Sequence, residues 1–197
     1  MSVGAARRLR WLWTPLKPRV VLTLLVVASL AGRWLTATTR ATGSLGLVAG
    51  WLVLLGIAVV VAAVAWRLTL FPRFAPSGPP ATFADRRFAL LALAGAGTLV
   101  VGTGLAAVLD PTAVAVSRFL GGLLAAGGIV AGVRGDSRLG YVTALTLGVL
   151  VLAATAAERV HGAPAVPVTV RFAHLGAVAV WFGGALWHNL VLAPAIR

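Results

Sequence analysis

The stretch LGLVAGWLVLLGIAVVVAAVAW, Leu45 to Trp66, contains no charged, hydroxyl or amide side chain. About 20 apolar residues in a helix cross the ~30 Å hydrocarbon core of a bilayer. A helix also satisfies its own backbone N–H and C=O groups where no water is present to do so. The run therefore predicts a membrane-spanning helix that is apolar on every face.

Working outward from it, five further stretches qualify or nearly do: Val20 to Thr38, Phe88 to Leu109, Pro111 to Val133, Leu139 to Ala157, and Arg171 to Ala195. The expected fold class is all-α, a polytopic transmembrane helix bundle of about six spans. A basic cytoplasmic lead-in, residues 1–19, precedes a single transmembrane domain over 20–197. Composition agrees: 60% of residues are hydrophobic and 11% charged, and mean hydropathy is +0.99. A soluble domain carries about a quarter charged residues. This chain has too few polar groups for a water-facing surface, so the lipid bilayer is its expected solvent.

Asp110-Pro111 gives the fourth span a start signal, Asp as N-cap and Pro at the first helical position. The turn after the third span is then very tight, and spans three and four pair antiparallel. The longest connection, Arg67 to Arg87, is rich in Pro and Phe and is expected to lie along the headgroups without regular structure.

A net charge of +13 in a soluble protein would point to nucleic acid. Here the cations stand between apolar runs, where they set topology and meet anionic lipid headgroups, so nucleic acid is not an expected partner. With the N-terminus inside, the inner segments hold Arg7, Arg8, Arg10, Lys17, Arg19, Arg67, Arg73, Arg86, Arg87, Arg134, Arg138 and Arg197. The outer ones hold only Arg40, Arg159 and Arg171. Both termini are expected in the cytoplasm of a multi-pass cell (plasma) membrane protein. The absence of cysteine excludes disulfides and thiolate metal sites, and Met1 is the only thioether.

Gly46 and Gly50, Gly128 and Gly132, and Ala179 and Gly183 each stand four apart, forming small-residue notches that let helices approach closely. Packing inside one bundle is the first expectation for them. A face for a homo-oligomer or larger membrane complex is the alternative.

The last span concentrates the chemistry. His174 and His188 are 14 residues apart, close to four helical turns and about 21 Å along the axis, with Trp181 midway on the same stripe. Interfacial histidines bonded to headgroups, water or backbone are one reading. Metal or haem ligation, or proton handling, is the other, since imidazole is the commonest metal ligand and titrates near neutrality.

The run from His174 through Trp181 to Gly183 and Gly184, followed by Leu192-Ala-Pro194, resembles the His-x6-Trp-x-Gly-Gly signature of the copper resistance D (CopD-like) family. That family consists of multispanning membrane proteins implicated in moving or tolerating copper. The resemblance implies copper as the cofactor or cargo and His174 as a ligand. It gives Trp181, Gly183 and Gly184 the part of packing elements.

From the residues alone, an outer metal site could draw on His174, His161, Glu158 and Asp110, a nitrogen–oxygen set suited to Cu(II) or Zn(II). The competing reading of the same loop is irregular chain with Glu158 paired to Arg159 or Arg171. Two histidines 14 apart also match the spacing of dihaem b-type cytochromes. Spans one to five hold no second histidine, so a homodimer would have to complete such sites.

Arg118 is an intramembrane charge about two turns into span four. Snorkelling is its default reading, and pairing with Asp110 or Glu158 or a place in an anion or substrate path are the alternatives. Arg33 is close enough to a span end to snorkel. There is no phosphate-cradling Gly-rich loop, HExxH or GxSxG, and acid–base candidates are few, so no enzyme is expected. Integral membrane metal handling or transport is the leading expectation for function. A non-catalytic scaffold or accessory subunit is the alternative.

Overall fold

A computed structural model describes residues 18–38, 43–69, 72, 79–157 and 165–195. The lead-in over 1–17, the Arg33 side chain, and Glu158 and His161 lie outside the described residues or side chains. What is described is all-helical, with no strand. Helix α1 is Pro18–Thr38, α2 Ser44–Thr69, α3 Pro79–Leu109, α4 Ala113–Gly135 and α5 Arg138–Ala157. Helix α6 begins with Ala165–Trp187, passes through a π-helical segment at His188–Leu192, and ends in Ala193–Ala195. Five of them, α2 to α6, are long and apolar enough to cross a membrane.

Helix α2, the charge-free run with which the sequence reading began, is the centre of the bundle. In its most apolar window 61% is buried, against 33–44% in the other four. It packs on α3, α5 and α6. The remaining helices turn aliphatic faces outward through such residues as Leu90, Val108, Leu124, Leu139 and Leu150. This outward apolar surface fits an integral membrane protein.

Association of helices in lipid gains little from burying apolar surface and depends on close contact instead. The glycines supply it. A Cβ on Gly102 would stand 2.6 Å from the backbone nitrogen of Val53, which fixes α3 on α2. Gly128 and Gly140 bring α4 and α5 together, where a Cβ on Gly128 would lie 2.8 Å from the Gly140 carbonyl oxygen. The Gly128/Gly132 and Ala179/Gly183 notches are thus filled by neighbours in the same chain. Gly46 and Gly50 instead line a cavity.

Three expectations about ends are corrected. Helix α4 is capped by Thr112, not Asp110: Thr112 has extended backbone and its Oγ1 accepts from the Ala115 N–H at 3.2 Å. That leaves Pro111 outside the helix, in a turn where Thr112 N–H bonds the Asp110 carbonyl at 2.8 Å. Thr112→Ala is expected to lower stability by about 1 kcal/mol, read as a lower melting temperature in detergent. The Arg67–Arg87 connection is partly helical, because α2 continues to Thr69 and α3 already begins at Pro79. Proline suits a first turn, which needs no N–H. The two extensions meet in an ion pair, Arg67 Nη1 to Asp85 Oδ1 at 2.7 Å. Helix α6 begins before Arg171, with Pro167 in its first turn rather than in irregular chain.

The π segment of α6 has an identifiable cause. Pro194 brings no N–H to the carbonyl one α-turn earlier, that of Leu190. Arg87 of α3 donates to that oxygen from Nη1 at 3.1 Å. Asn189, the chain's only asparagine, donates to the Ala185 carbonyl at 2.8 Å. Both bonds satisfy carbonyls where the helical ladder changes register.

Candidate functional site

Among the described residues, the fully buried polar side chains are Thr103, Arg118 and Thr155. Each threonine bonds a carbonyl of its own helix at 2.7 Å, Thr103 to Leu99 and Thr155 to Val151. Arg118 is 5% exposed. It points inward because it shares the stripe Ala115, Arg118, Gly122, Ala125 and Ile129, the face by which α4 packs on the bundle. Its side chain is therefore turned into the bundle and not out to lipid.

Arg118 lines a cavity of about 730 Å³, within the usual range of small-molecule sites. Asp110, Thr155, Arg171 and His174 line it too, and α1 contributes Ala28, Ser29 and Gly32 as a wall. Ser29 ties that wall to α2: Trp51 Nε1–H donates to Ser29 Oγ at 3.0 Å, while Ser29 Oγ–H donates to the Val26 carbonyl at 2.8 Å. Otherwise α1 is peripheral, since no described side chain on it is fully buried.

Among the described residues, two guanidiniums, of Arg118 and Arg171, and one carboxylate, of Asp110, line the cavity. A guanidinium has five N–H donors in a planar fork, enough to serve a protein neighbour and a bound oxyanion together. A hydrocarbon surround screens such charges poorly, so each guanidinium there attracts an anionic group strongly.

The expected site residues are only partly brought together. His174 and Arg118 share the cavity, joined by Asp110. His161 and Glu158 lie outside the described residues. Among the described residues no group of three or more His, Cys, Asp or Glu converges on one point. His188 is exposed and does not line the cavity.

The His174–Trp181–His188 stripe exists, but only His174 borders the cavity; His188 is exposed and Trp181 is 69% exposed. Trp181 is thus lipid-facing rather than a packing element. The two glycines after it do pack. The Ala58 carbonyl of α2 occupies the place a Gly183 Cβ would take, and a Gly184 Cβ would lie 2.7 Å from Trp66 Nε1. Trp66 in turn stacks on Trp187, ring centroids 5.9 Å apart.

Sequence reasoning missed the inward turn of Arg118, although small residues at 115, 122 and 125 advertised a packing face. It also missed Ser29 and Thr155 as lining the cavity that His174 borders, which no spacing along the chain discloses. No protein-family model matches the chain, and no curated protein or solved structure matches it either.

Proposed function

We propose that this chain is a multi-pass cell-membrane protein, with both termini cytoplasmic, that binds and handles an anionic ligand without catalysing a reaction on it. The observation carrying this reading is Arg118, a guanidinium buried among apolar helices yet lining a cavity that Arg171 also lines. Ionisable groups within a membrane are costly, and those retained commonly line substrate or ion paths.

The test is thermal unfolding of detergent-purified protein with benzoate or with benzylammonium, ligands of similar size and opposite charge. Benzoate at 100 times its dissociation constant should stabilise the fold by about 2.7 kcal/mol, and benzylammonium should not. Equal responses to both, or none to benzoate, would remove the proposal.

A second reading has one observation in its favour. His174, the ligand implied by the resemblance to the copper resistance D family, lines the same cavity, as does Asp110. Copper handling predicts Cu(II) bound by purified protein and lost in His174→Ala, with His161→Ala as the companion. Binding unchanged in both variants would end that reading. A chain that holds neither anion nor copper but co-purifies with a stable partner would instead be a scaffold.

A further inference from the structure

We infer that the ligand of this cavity is an acidic amphiphile, a carboxylate or phosphate head on a single acyl-type chain. This rests on the anion reading above and adds the ligand's apolar half. Contacts between helices set the depth scale: Gly183 lies beside Ala58, Gly102 beside Val53, and Gly122 beside Thr103. On that scale Arg118 and His174 stand level with each other, near residue 49 of α2. Both are some nine or ten residues from Ala58, roughly 14 Å at a helical rise of ~1.5 Å.

The cavity spans that whole depth, yet its polar groups do not. Asp110, Arg171, Arg118 and His174 all fall in the outer part, with Ser29 and Thr155 as the hydroxyls of the lining. From Val53 onward the lining is aliphatic or aromatic, through Leu54, Ile57, Val178 and Phe182. A small inorganic anion would use only the outer part and leave the rest filled by nothing it can contact. A head between the arginines with a chain running inward matches both halves.

The α1 wall suits entry from the bilayer. Its residues at the cavity, Ala28, Ser29 and Gly32, are small. Its outer side is apolar, with Leu24, Val27 and Leu35 more than half exposed. An amphiphile already dissolved in the membrane can reach the site beside this helix with its chain never entering water.

The experiment uses the full chain in phosphatidylcholine nanodiscs. Bound acetate, hexanoate and decanoate are counted above protein-free discs at equal free aqueous concentration. Decanoate should bind once per chain. Affinity should rise about fourfold per methylene from hexanoate to decanoate. Decyltrimethylammonium should not displace it.

Leu54→Trp and Ala28→Phe fill the apolar part from two different helices, so failure of one variant to fold leaves the other. Each should weaken decanoate more than tenfold and benzoate far less, since the shorter ligand reaches less of the apolar part. Decanoyl-lysophosphatidate should compete, and its rank against decanoate tells a phospholipid source from a free fatty acid, either rank supporting the inference. Equal affinities for hexanoate and decanoate, or equal weakening of decanoate and benzoate by both fillers, would overturn the amphiphile while leaving anion binding in place. Failure of both benzoate and decanoate to bind the unaltered protein would overturn both.

Discussion

Gly183→Val is expected to unfold or grossly loosen the bundle, costing about 3 kcal/mol or more, the upper end of overpacking effects. Any Cβ at 183 occupies the position of the Ala58 carbonyl oxygen and meets the Ala62 methyl. Neither obstacle is the end of a flexible side chain. Ala58 begins the π-helical segment Ala58–Ala63 of α2, buried along its whole length, so relief requires the two helices to separate. Separation would also disturb the Trp66–Trp187 stack nearby. The internal control is Gly97→Val on α3, where an added Cβ meets nothing within 4 Å. It should unfold at the same denaturant concentration as the parent. Denaturant unfolding of the three proteins in one detergent checks this. Equal stability of the two variants would show that α2 and α6 do not touch as described.

The second large effect is on ligand affinity. Arg118→Gln should weaken benzoate binding about 100-fold, since removing one partner of a buried charge pair costs ~2–5 kcal/mol. Glutamine keeps hydrogen-bonding capacity but neither the charge nor the planar fork. Arg118→Lys should recover only part of the loss, because a point charge cannot make two parallel bonds to one oxyanion. Calorimetric titration of the three proteins measures the effect. Melting of each without ligand separates it from damage to the fold. Undiminished affinity in a folded Arg118→Gln protein would dismiss the anion site.

The readable part of this molecule is the part set by its solvent. Leu45–Trp66 has no group that water could solvate, and a backbone in oil must be helical to satisfy itself. The all-helical class therefore follows from apolar run lengths alone, and five of the six expected spans are long and apolar enough to cross a membrane. The misjudged ends depended on local competition. Thr112 took the cap from Asp110 because its own hydroxyl reaches the Ala115 N–H, and prolines at 79, 80 and 167 were read as loop when they open helices. The His174–Trp181–His188 stripe was likewise legible as a stripe, since helical period is a local property.

Which way a stripe faces is not local. Along the chain, the stripe of Trp181 and the two histidines carries no sign of the side it faces, and the default for Arg118 is a charge reaching for the rim. Packing decides both: the Gly183 contact with Ala58 turns Trp181 outward, and the small-residue face of α4 turns Arg118 inward. Sequence alone determined that this protein is a bundle of apolar helices, because hydrocarbon leaves the backbone no other choice. Only the tertiary structure decided that Arg118, Arg171, His174 and Asp110 share one cavity. Two stretches far apart in sequence, 110–118 and 171–174, meet only where close glycine contacts set the rotation and depth of each helix.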